Sequence, residues 1–592
     1  MCGICGELGL HGERGSLQSV SAMLPALERR GPDSQGVEQV GPVAFGHRRL
    51  SVIDLSADSN QPMRDAKSNA LLVFNGAIYN YKILRRELQE KGHTFSSHGD
   101  TEVILKAYAE WGGDCVTHLL GMFASAIWDV EREYLFVARD RMGIKPFYYA
   151  FVGKTFRFAS TIQSILAPGG VDTGIDSEGL HHQFTLHAVI PAPTTLLKAV
   201  RKLPPASTMI VRLSGKTDTK TYWHLSASRP AEAKTEQEWT EAIEDALMLA
   251  VKRRLDIADV PVGVLLSGGL DSSLLVGLLA KSGVTDLQTF SVGFEDAGDE
   301  KGSEFEYSDL VVDHFQTKHH KFLVPNTEVL KRLPEAVANM SEPMFGQDAV
   351  AFYLLSEQVS KDIKVVQSGQ GADEVFAGYF WYSQMHAAKG DTVSRFADHY
   401  FDRTHEEYLE MVQAQWQGED VTSQLVKARL EAPDADEYID QVLRFDVTTL
   451  VVDDPVKRVD NMTMAWGLEA RVPFLDHELV ELAAQMPPEL KMRDDGKYML
   501  KKIARGLIPD GVIDRPKGYF PMPALKYVRG DFLEFMRDIL LSPAAKARGL
   551  YQANYVEKLL KSPDEYFTKL NGSKLWHLAL VEYWLQMNVD NA

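Results

Sequence analysis

The second residue of the chain is a cysteine, Cys2, whose surroundings point to chemistry and not to a structural role. Its 592 residues include three cysteines, Cys2, Cys5 and Cys115, which are too few for a disulfide framework and too scattered for a zinc site. If Met1 is removed, Cys2 carries a thiol and a free α-amine, whose ordinary pKa values are about 8.5 and about 8. The amine can then accept the thiol proton, so Cys2 is predicted to be a nucleophile with its own base. The alternative is an ordinary reduced cysteine near a chain end.

A second candidate site is the motif SGGLDSS, from Ser267 to Ser273, which lies between a predicted strand and a predicted helix. The glycines let the backbone turn sharply, and the amides at the start of the helix favour an anion such as phosphate. The Gly-Lys-Ser/Thr ending of a Walker A loop is missing. Asp271 inside this loop is most simply explained as a Mg²⁺ ligand. The alternative is a tight glycine turn capped by a serine.

Another glycine-rich loop occurs in KVVQSGQGADEVFAGY, from Lys364 to Tyr379. Ligands bind beyond the carboxyl ends of parallel strands, so we expect this loop and SGGLDSS to flank one crevice. Asp373 would then supply a second Mg²⁺ carboxylate. Taken alone, the stretch is equally consistent with a solvated loop.

Composition restricts the class of protein. The 63 basic and 82 acidic residues give a net charge of −19, which opposes binding to nucleic acid or to an anionic membrane. No apolar run approaches the roughly 18 residues of a membrane span, and no secretory signal precedes the first motif. We therefore expect a cytoplasmic protein that acts on small molecules, with two or more domains at this length.

Two patterns of secondary structure place these motifs. Before residue 215, short β-rich runs such as ALLVFNGAIYNY and PFYYAF are separated by turns, which predicts layered antiparallel sheets. After the polar stretch SASRPAEAKTEQE, we predict a helix from Trp239 to Leu255, a strand PVGVLL, a helix from Ser272 to Lys281 and a strand LQTFSVGF. This β-α-β order implies a parallel sheet covered by helices. Beyond Phe380 the chain is predicted to be mostly helical.

The motifs MCGICG, RRGPDSQG, FNGAIYNY, RDRMGIKPFYY, SGGLDSS, SGQGADE and GLEARVPFLD occur in the order seen in one family. The chain resembles the asparagine synthetase family, class II glutamine amidotransferases fused to an ATP-pyrophosphatase-type synthetase. The resemblance implies an N-terminal-nucleophile β-sandwich flanked by helices, then a parallel-sheet domain with a helical C-terminal part. It implies a glutaminase domain over 1–215, a linker over 216–235 and an amide-forming domain over 236–592. It also implies ATP as co-substrate and Mg²⁺, and it leaves a homodimer open.

The resemblance assigns roles to residues of two sites. In the amidase half, Cys2 resembles the nucleophile, Arg49 the residue that grips the glutamine carboxylate, and Asp100 the anchor for its ammonium. Asn75 and Gly76 resemble the oxyanion hole. In the synthetase half, the residues that resemble the ATP site are Leu266, Ser267, Gly268, Gly269, Asp271, Ser272, Val292, Ser368 and Gly369.

Three further assignments follow from the same resemblance. Asp271 and Asp373 match the metal ligands, and Lys497 matches the lysine that stabilises the charge of the reacting phosphate. The alternative for Lys497 is a solvent-facing lysine on a basic helix. Arg471 and Asp476, in GLEARVPFLD, are predicted to form a structural ion pair that supports the crevice.

The sequence departs from the family at the acceptor site. Family members usually have Ser-Gly-Glu-Gly where this chain has Gln370 between two glycines, so a neutral amide replaces a carboxylate. Glu374 is a neighbouring acid that would restore the charge. This departure and the acidic stretch from Phe294 to Asp309 resemble the branch that amidates N-acetylglutaminylglutamine.

We therefore expect a glutamine- and ATP-dependent amidotransferase that forms glutamate, AMP, pyrophosphate and a carboxamide. Three alternatives are an asparagine synthetase proper, a ring-forming synthetase of the β-lactam type, and a non-catalytic sensor of glutamine and nucleotide. The complete amidase set argues against the ring-forming synthetase. The metal pair and Lys497 argue against the sensor.

Overall fold

The computed structural model describes residues 2–296, 302–515 and 523–590. In its first part, two antiparallel sheets are built from β1 (Gly3–Gly9), β2 (Ser34–Val40), β3 (Val43–Arg49), β4 (Met63–Arg64), β5 (Leu71–Ile78), β6 (Gly121–Asp129), β7 (Tyr134–Arg139), β8 (Tyr148–Val152), β9 (Thr155–Ala159), β10 (Val200–Lys202), β11 (Ser207–Arg212) and β12 (Thr217–Thr221). One sheet has the order β10-β8-β9-β1-β3-β2 and the other β12-β11-β7-β6-β5-β4. The predicted antiparallel layers are confirmed.

Apolar side chains from both sheets form one core between them. Ile4, Phe45, Val73, Val137 and Phe158 belong to this cluster, as expected when alternate residues of two stacked sheets face each other. The helices that flank the sheets are Leu17–Met23, Tyr81–Glu90, Asp100–Trp111, Cys115–His118, Ile162–Leu166 and Ser177–Thr185. This core holds β1 and β5, the two strands that carry the first site.

The second part contains a five-stranded parallel sheet of β13 (Val262–Leu265), β14 (Gln288–Phe294), β15 (Lys318–Val324), β16 (Val365–Gln367) and β17 (Glu469–Arg471). The strand order is β15-β14-β13-β16-β17. The chain moves outward from β13 through β15 and then returns to the other side of β13, so the order reverses between β13 and β16. The loops after these two neighbouring strands therefore open into one crevice.

The helices of this part begin where capping residues set them. The helix predicted from Trp239 runs over Glu236–Asp256, because Thr235 and Glu238 form a capping box at its start. The helix predicted from Ser272 runs over Leu270–Lys281, with Gly269 as its N-cap. The apolar periodicity indicated both helices, and the caps extend each of them towards the chain start.

The rest of the described chain is mainly helical, which confirms the predicted helical C-terminal part. The remaining helices are Phe305–Phe315, Asn326–Ala338, Asp348–Val359, Ala372–Val375, Phe380–Ala387, Thr392–Tyr400, His405–Met411, Val421–Leu430, Tyr438–Phe445, Lys457–Met464, His477–Ala484, Glu489–Met492, Tyr498–Ala504, Asp510–Ile513, Pro523–Lys526, Asp531–Leu540, Pro543–Arg548, Ala553–Lys561 and Lys574–Leu585. Across the described ranges, no helix has the length and apolarity needed to cross a membrane.

The stretch 216–235 begins with β12, which pairs with β11 and so belongs to the second antiparallel sheet. The acidic stretch from Phe294 to Asp309 is described only in part, since 297–301 lie outside the described residues.

Candidate active sites

Cys2 directly precedes β1 and is held by hydrogen bonds of its main chain. Its N–H donates to Asn75 Oδ1 at 3.0 Å, and its carbonyl oxygen accepts from Arg30 Nε at 3.3 Å. The residue is buried, with 8% of its surface exposed. Burial raises the pKa of the Cys2 thiol above its ordinary value. At neutral pH the thiol therefore needs a base before it can attack a carbonyl carbon.

Asn75 and Gly76 lie on β5, opposite Cys2. Asn75 is fully buried, and within the described residues its Nδ2 has no hydrogen-bond partner. A buried amide donor without a partner is costly unless a ligand accepts from it. At Gly76 a Cβ atom would come within 2.2 Å of the Met122 carbonyl oxygen, so only glycine fits against β6. Asn75 thus offers a side-chain amide donor, and Gly76 offers a backbone that no side chain covers, as an oxyanion hole requires.

Arg49 and Asp100 both lie close to these residues. Arg49 ends β3, and its guanidinium donates to Ser56 O at 2.7 Å and to Asn60 Oδ1 at 2.8 Å, which ties it to the segment 53–60. Asp100 begins the helix Asp100–Trp111 and accepts from the Ile78 N–H at 3.0 Å. Burial raises the pKa of Asp100 to about 6. A buried carboxylate here is suited to receive a cationic group such as an ammonium.

The loop after β13 has the geometry of an anion site. Gly268 has a φ of +79°, and a Cβ there would lie 2.7 Å from the Ser308 nitrogen. Ser267 Oγ lies 3.1 Å from Ser272 Oγ and accepts from the Gly269 N–H at 3.3 Å. The hydroxyls and the first amides of the helix Leu270–Lys281 are thereby gathered at one point.

The loop after β16 packs directly on this first loop. The Ser368 N–H donates to Arg471 O at 2.9 Å, which fixes the loop to β17. A Cβ at Gly369 would lie 3.0 Å from Asp271 Cβ, so the two loops approach closely. The structure brings together the two glycine-rich motifs that the sequence placed on one crevice.

Lys497 joins the two carboxylates predicted to bind metal. Its Nζ lies 2.6 Å from Asp271 Oδ2 and 2.9 Å from Asp373 Oδ1. Burial opposes the charge of Lys497, but the two carboxylates outweigh it and raise the pKa of this lysine. Gly378 permits the approach, because a Cβ there would lie 2.2 Å from Asp373 Oδ1 and 2.3 Å from Lys497 Cε. The solvent-facing alternative for Lys497 is wrong, since only 8% of the residue is exposed.

These groups line one cavity of about 1150 Å³. Of the predicted nucleotide, metal and acceptor residues, its walls include Leu266, Ser267, Gly269, Asp271, Ser272, Val292, Ser368, Gly369, Gln370, Asp373 and Lys497. Glu374 is buried at 2% exposure and accepts from the Tyr379 hydroxyl at 2.9 Å. Burial, reinforced by the charge of Asp373, raises the pKa of Glu374 to about 7. Gln370 therefore lines the cavity, whereas Glu374 is not among its lining residues and is hydrogen-bonded to Tyr379.

Known proteins match the whole chain. Residues 1–223 match the glutamine amidotransferase domain family, and residues 242–586 match the asparagine synthase family. "Asparagine synthetase [glutamine-hydrolyzing] 3" of Bacillus subtilis (strain 168) is 32% identical over 99% of this chain and 98% of its own length. The chain belongs to the asparagine synthetase family. Like other members of the asparagine synthetase family, it is a glutamine-dependent amidotransferase and a ligase, and the family uses ATP.

Two further relatives show how wide the family is. "Asparagine synthetase [glutamine-hydrolyzing] 1" of Bacillus subtilis (strain 168) is 31% identical over 100% of this chain and 97% of its own length. "Amidase chyE" of Penicillium rubens is 26% identical over 96% of this chain and 95% of its own length. Relatives that match nearly the whole chain are therefore named as more than one kind of enzyme.

The ion pair predicted between Arg471 and Asp476 is wrong. Arg471 Nε pairs with Glu469 Oε1 at 2.6 Å, and Asp476 Oδ2 pairs with Arg254 Nη1 at 2.8 Å. Arg471 lies on β17, and residues two apart on a strand share a face, so Glu469 is its natural partner. Asp476 instead caps the helix His477–Ala484 by accepting from the Glu478 N–H.

Sequence reasoning missed the charges buried between the two halves of this asparagine synthetase family member. Asp460 Oδ2 pairs with Arg30 and Asp460 Oδ1 with Lys145, each at 2.9 Å. Lys202 pairs with Glu342 at 2.9 Å and with Asp453 at 2.8 Å. These partners are between 140 and 430 residues apart along the chain, so no local spacing connects them.

Proposed function

We propose that this chain transfers glutamine nitrogen to an N-acylated peptide carboxylate, N-acetylglutaminylglutamine, and forms the carboxamide. The observation that carries the proposal is Gln370 at the wall of the cavity, in the position where the family usually has glutamate. A free amino acid brings an α-ammonium, which a carboxylate meets with a charge-assisted hydrogen bond. An acylated acceptor has an amide N–H instead, and the Gln370 carbonyl is a suitable partner for it.

Four other acidic groups of the cavity support this choice, because they have cationic partners. Asp271 and Asp373 share Lys497, Asp348 lies 3.1 Å from Arg458, and Glu304 lies 2.9 Å from Arg515. Glu374, the neighbouring acid that would replace the missing charge, has its pKa raised to about 7 by burial and by Asp373. The neutral form of this carboxyl is therefore favoured more than in a free glutamate, which weakens it as an ammonium site.

The proposed chemistry divides between the two sites. Cys2 Sγ attacks the glutamine side-chain carbonyl, ammonia leaves, and water releases glutamate from the thioester, while Asn75 and Gly76 stabilise the oxyanion. In the cavity, the acceptor carboxylate attacks the α-phosphate of ATP, pyrophosphate leaves, and ammonia displaces AMP from the acyl-adenylate. Arg49 and Asp100 bind glutamine, and Lys497 stabilises the growing negative charge. The division into a glutaminase domain over 1–215 and an amide-forming domain over 236–592 is part of this proposal.

Asp271 and Asp373 fit a Mg²⁺ ion. Two carboxylate oxygens already converge on one cation, the Lys497 ammonium, and hard oxygen donors are what Mg²⁺ prefers. When bound, Mg²⁺ would neutralise the pyrophosphate charge. Lys497 would then be released from at least one carboxylate and become available to the phosphate.

The test is amide formation dependent on glutamine and ATP, with N-acetylglutaminylglutamine and aspartate at matched concentrations. We expect kcat/KM to favour the acylated dipeptide by on the order of a hundredfold, for a recognition difference of about 3 kcal/mol. Gln370→Glu should narrow that ratio, while the same change at the exposed Gln424 should leave it unaltered. Comparable kcat/KM for aspartate in the unaltered enzyme would reject the proposal.

The second candidate is an asparagine synthetase proper. The relatives of Bacillus subtilis bearing that name are 31% and 32% identical over essentially the whole chain, which supports it. The same acceptor comparison decides between the two, since this candidate requires aspartate as the preferred acceptor.

A further inference from the structure

A largely buried cluster of two histidines and one aspartate, which shares no residue with either site, lies where three distant segments meet. His187 follows the helix Ser177–Thr185, Asp402 follows the helix Thr392–Tyr400, and His577 lies on the helix Lys574–Leu585. One ligand atom from each residue lies within 4.8 Å of the other two. The Asp402 N–H also donates to Thr185 O at 3.0 Å, which fixes the aspartate to the amidotransferase half.

The contacts within the cluster leave donor atoms unused. His187 Nδ1 lies 2.8 Å from Asp402 Oδ2, a hydrogen bond, whereas His577 Nδ1 lies 3.5 Å from the same oxygen. Asp402 and His577 are completely buried at their side chains. Within the described part of the chain, both ring nitrogens of His577 and the Asp402 Oδ1 atom have no hydrogen-bond partner. Buried polar atoms of a native protein are seldom left in this state, so a further partner is indicated.

We propose that His187, Asp402 and His577 bind a structural Zn²⁺ ion. Tetrahedral zinc with bonds of about 2.0 to 2.2 Å separates its ligand atoms by about 3.3 to 3.6 Å. The 3.5 Å separation lies in that range and the 2.8 Å separation is shorter, while all three ligand atoms lie within 4.8 Å of one another, so the side chains would have to adjust to reach tetrahedral geometry. A bidentate Asp402 would supply a fourth donor through its second oxygen. Two imidazoles and a carboxylate, without a thiolate, form a donor set that suits zinc.

The surroundings fix the ligands in place. The His577 ring stacks on Phe345 with a centroid distance of 3.8 Å, and a Cβ at Gly572 would lie 2.8 Å from His577 Nε2. Arg403 and Lys574 lie nearby, and Lys574 pairs with Glu407 at 2.6 Å. Because these two cations oppose a divalent ion, we expect weaker binding than at a zinc site made of thiolates. His187 Nδ1 now bonds to Asp402, and any proton on the nitrogen that binds zinc would have to leave it on binding.

A neighbouring histidine cluster provides a matched control. His181 Nε2 lies 3.0 Å from His405 Nδ1, and His181 Nδ1 lies 2.6 Å from Thr422 Oγ1. The His181 nitrogens are therefore already paired with protein atoms, unlike those of His577. We assign no metal to this second cluster.

The first experiment measures zinc bound to the full chain by mass spectrometry after equilibrium dialysis against ZnCl₂. Cys2→Ala removes a competing thiol, and excess MgCl₂ occupies the carboxylates of the large cavity. We expect about one zinc per chain. His577→Gln and Asp402→Asn should weaken binding by at least roughly tenfold, and His405→Gln should leave it unchanged. Zinc far below one per chain, or an equal loss with His405→Gln, would overturn the assignment.

The second experiment needs no change at the cluster, so it remains decisive if His577→Gln does not fold. The Cys2→Ala chain is loaded with Co²⁺ in excess Mg²⁺, and its visible absorption is recorded. Tetrahedral Co²⁺, with the stronger absorption of that geometry, is expected and should be displaced by about one equivalent of Zn²⁺. Absorption of octahedral Co²⁺ alone would contradict a His₂Asp site.

Discussion

The main-chain N–H of Cys2 donates to Asn75 Oδ1 at 3.0 Å, and this bond fixes the orientation of the Asn75 amide. With Oδ1 engaged, Nδ2 is directed elsewhere, and it is the buried atom that lacks a partner in the described structure. The main chain of Cys2 thus orients the Asn75 amide that is to stabilise the oxyanion formed when the thiol attacks.

Asn75→Ala should therefore lower glutaminase kcat by on the order of 10² to 10³, because one oxyanion donor is lost. Synthesis from added ammonium salts should persist, as it should in Cys2→Ala. Steady-state glutamate formation measures the effect, with Asn554→Ala at an exposed position as the control. A glutaminase rate within twofold of the unaltered enzyme would exclude the donor role.

Asp100 should make both stability and glutamine binding depend on pH. Its pKa is raised by burial from 3.8 to about 6, so the folded protein binds this proton more tightly than the unfolded chain does. Between about pH 4 and 6 this group lowers stability as pH rises, and at pH 7 its ionisation costs about 3 kcal/mol. Asp100→Asn should raise Tm at pH 7.5 relative to the unaltered protein and have little effect at pH 4.

The same substitution should remove the stabilisation by glutamine. An ammonium beside Asp100 lowers the pKa of the carboxyl again, so glutamine should raise Tm of the unaltered protein and KM should increase below about pH 6. Thermal shift with and without glutamine tests this. An Asp100→Asn protein that glutamine stabilises normally would remove Asp100 from the binding site.

Asp271→Asn and Asp373→Asn should each abolish pyrophosphate release that depends on the acceptor. Each loses one of the two carboxylates that converge on Lys497, so the charge available to Mg²⁺ is halved. Basal glutamine hydrolysis should remain, because Cys2 lies in the other half. Asp245→Asn, at an exposed helix position, is the control. Normal pyrophosphate release by both variants would reject the metal assignment.

Asp460→Asn should destabilise the contact between the two halves. Asp460 pairs with Arg30 and with Lys145 at 2.9 Å each, and all three side chains are buried. Removing one partner of a buried ion pair costs about 3 to 5 kcal/mol. We expect a lower Tm and a lower yield of amide per glutamine hydrolysed, measured as the ratio of the two products. The exposed Asp538→Asn is the control, and an unchanged ratio with an unchanged Tm would contradict the prediction.

The sequence predicted those parts of the fold that depend on local pattern. The periodicity of ALLVFNGAIYNY and of PVGVLL located β5 and β13, and the glycine-rich loops were placed on one crevice because both follow parallel strands. Asp271 and Asp373 indeed approach one lysine. The predicted starts of helices were less accurate, because capping residues such as Thr235 precede the apolar pattern from which the helices were predicted.

Side-chain partners were beyond the reach of local pattern. Arg471 and Asp476 are five residues apart and were predicted to pair, yet β17 turns the arginine towards Glu469. The clusters around Asp460 and around His577 unite residues from both ends of the chain, and only the packed structure brings them together. Charge and spacing along a sequence do not determine such contacts.

The three residues of β17 connect the two reaction centres more directly than the polar segment between the domains does. Its last residue, Arg471, accepts the N–H of Ser368 in the nucleotide loop. Its first residue, Glu469, adds its negative charge to burial in raising the pKa of both Cys2 and Asp100. Two steps of a strand span about 7 Å. One strand of three residues therefore holds the loop after β16 at one end and contributes to the electrostatic environment of Cys2 and Asp100 from the other.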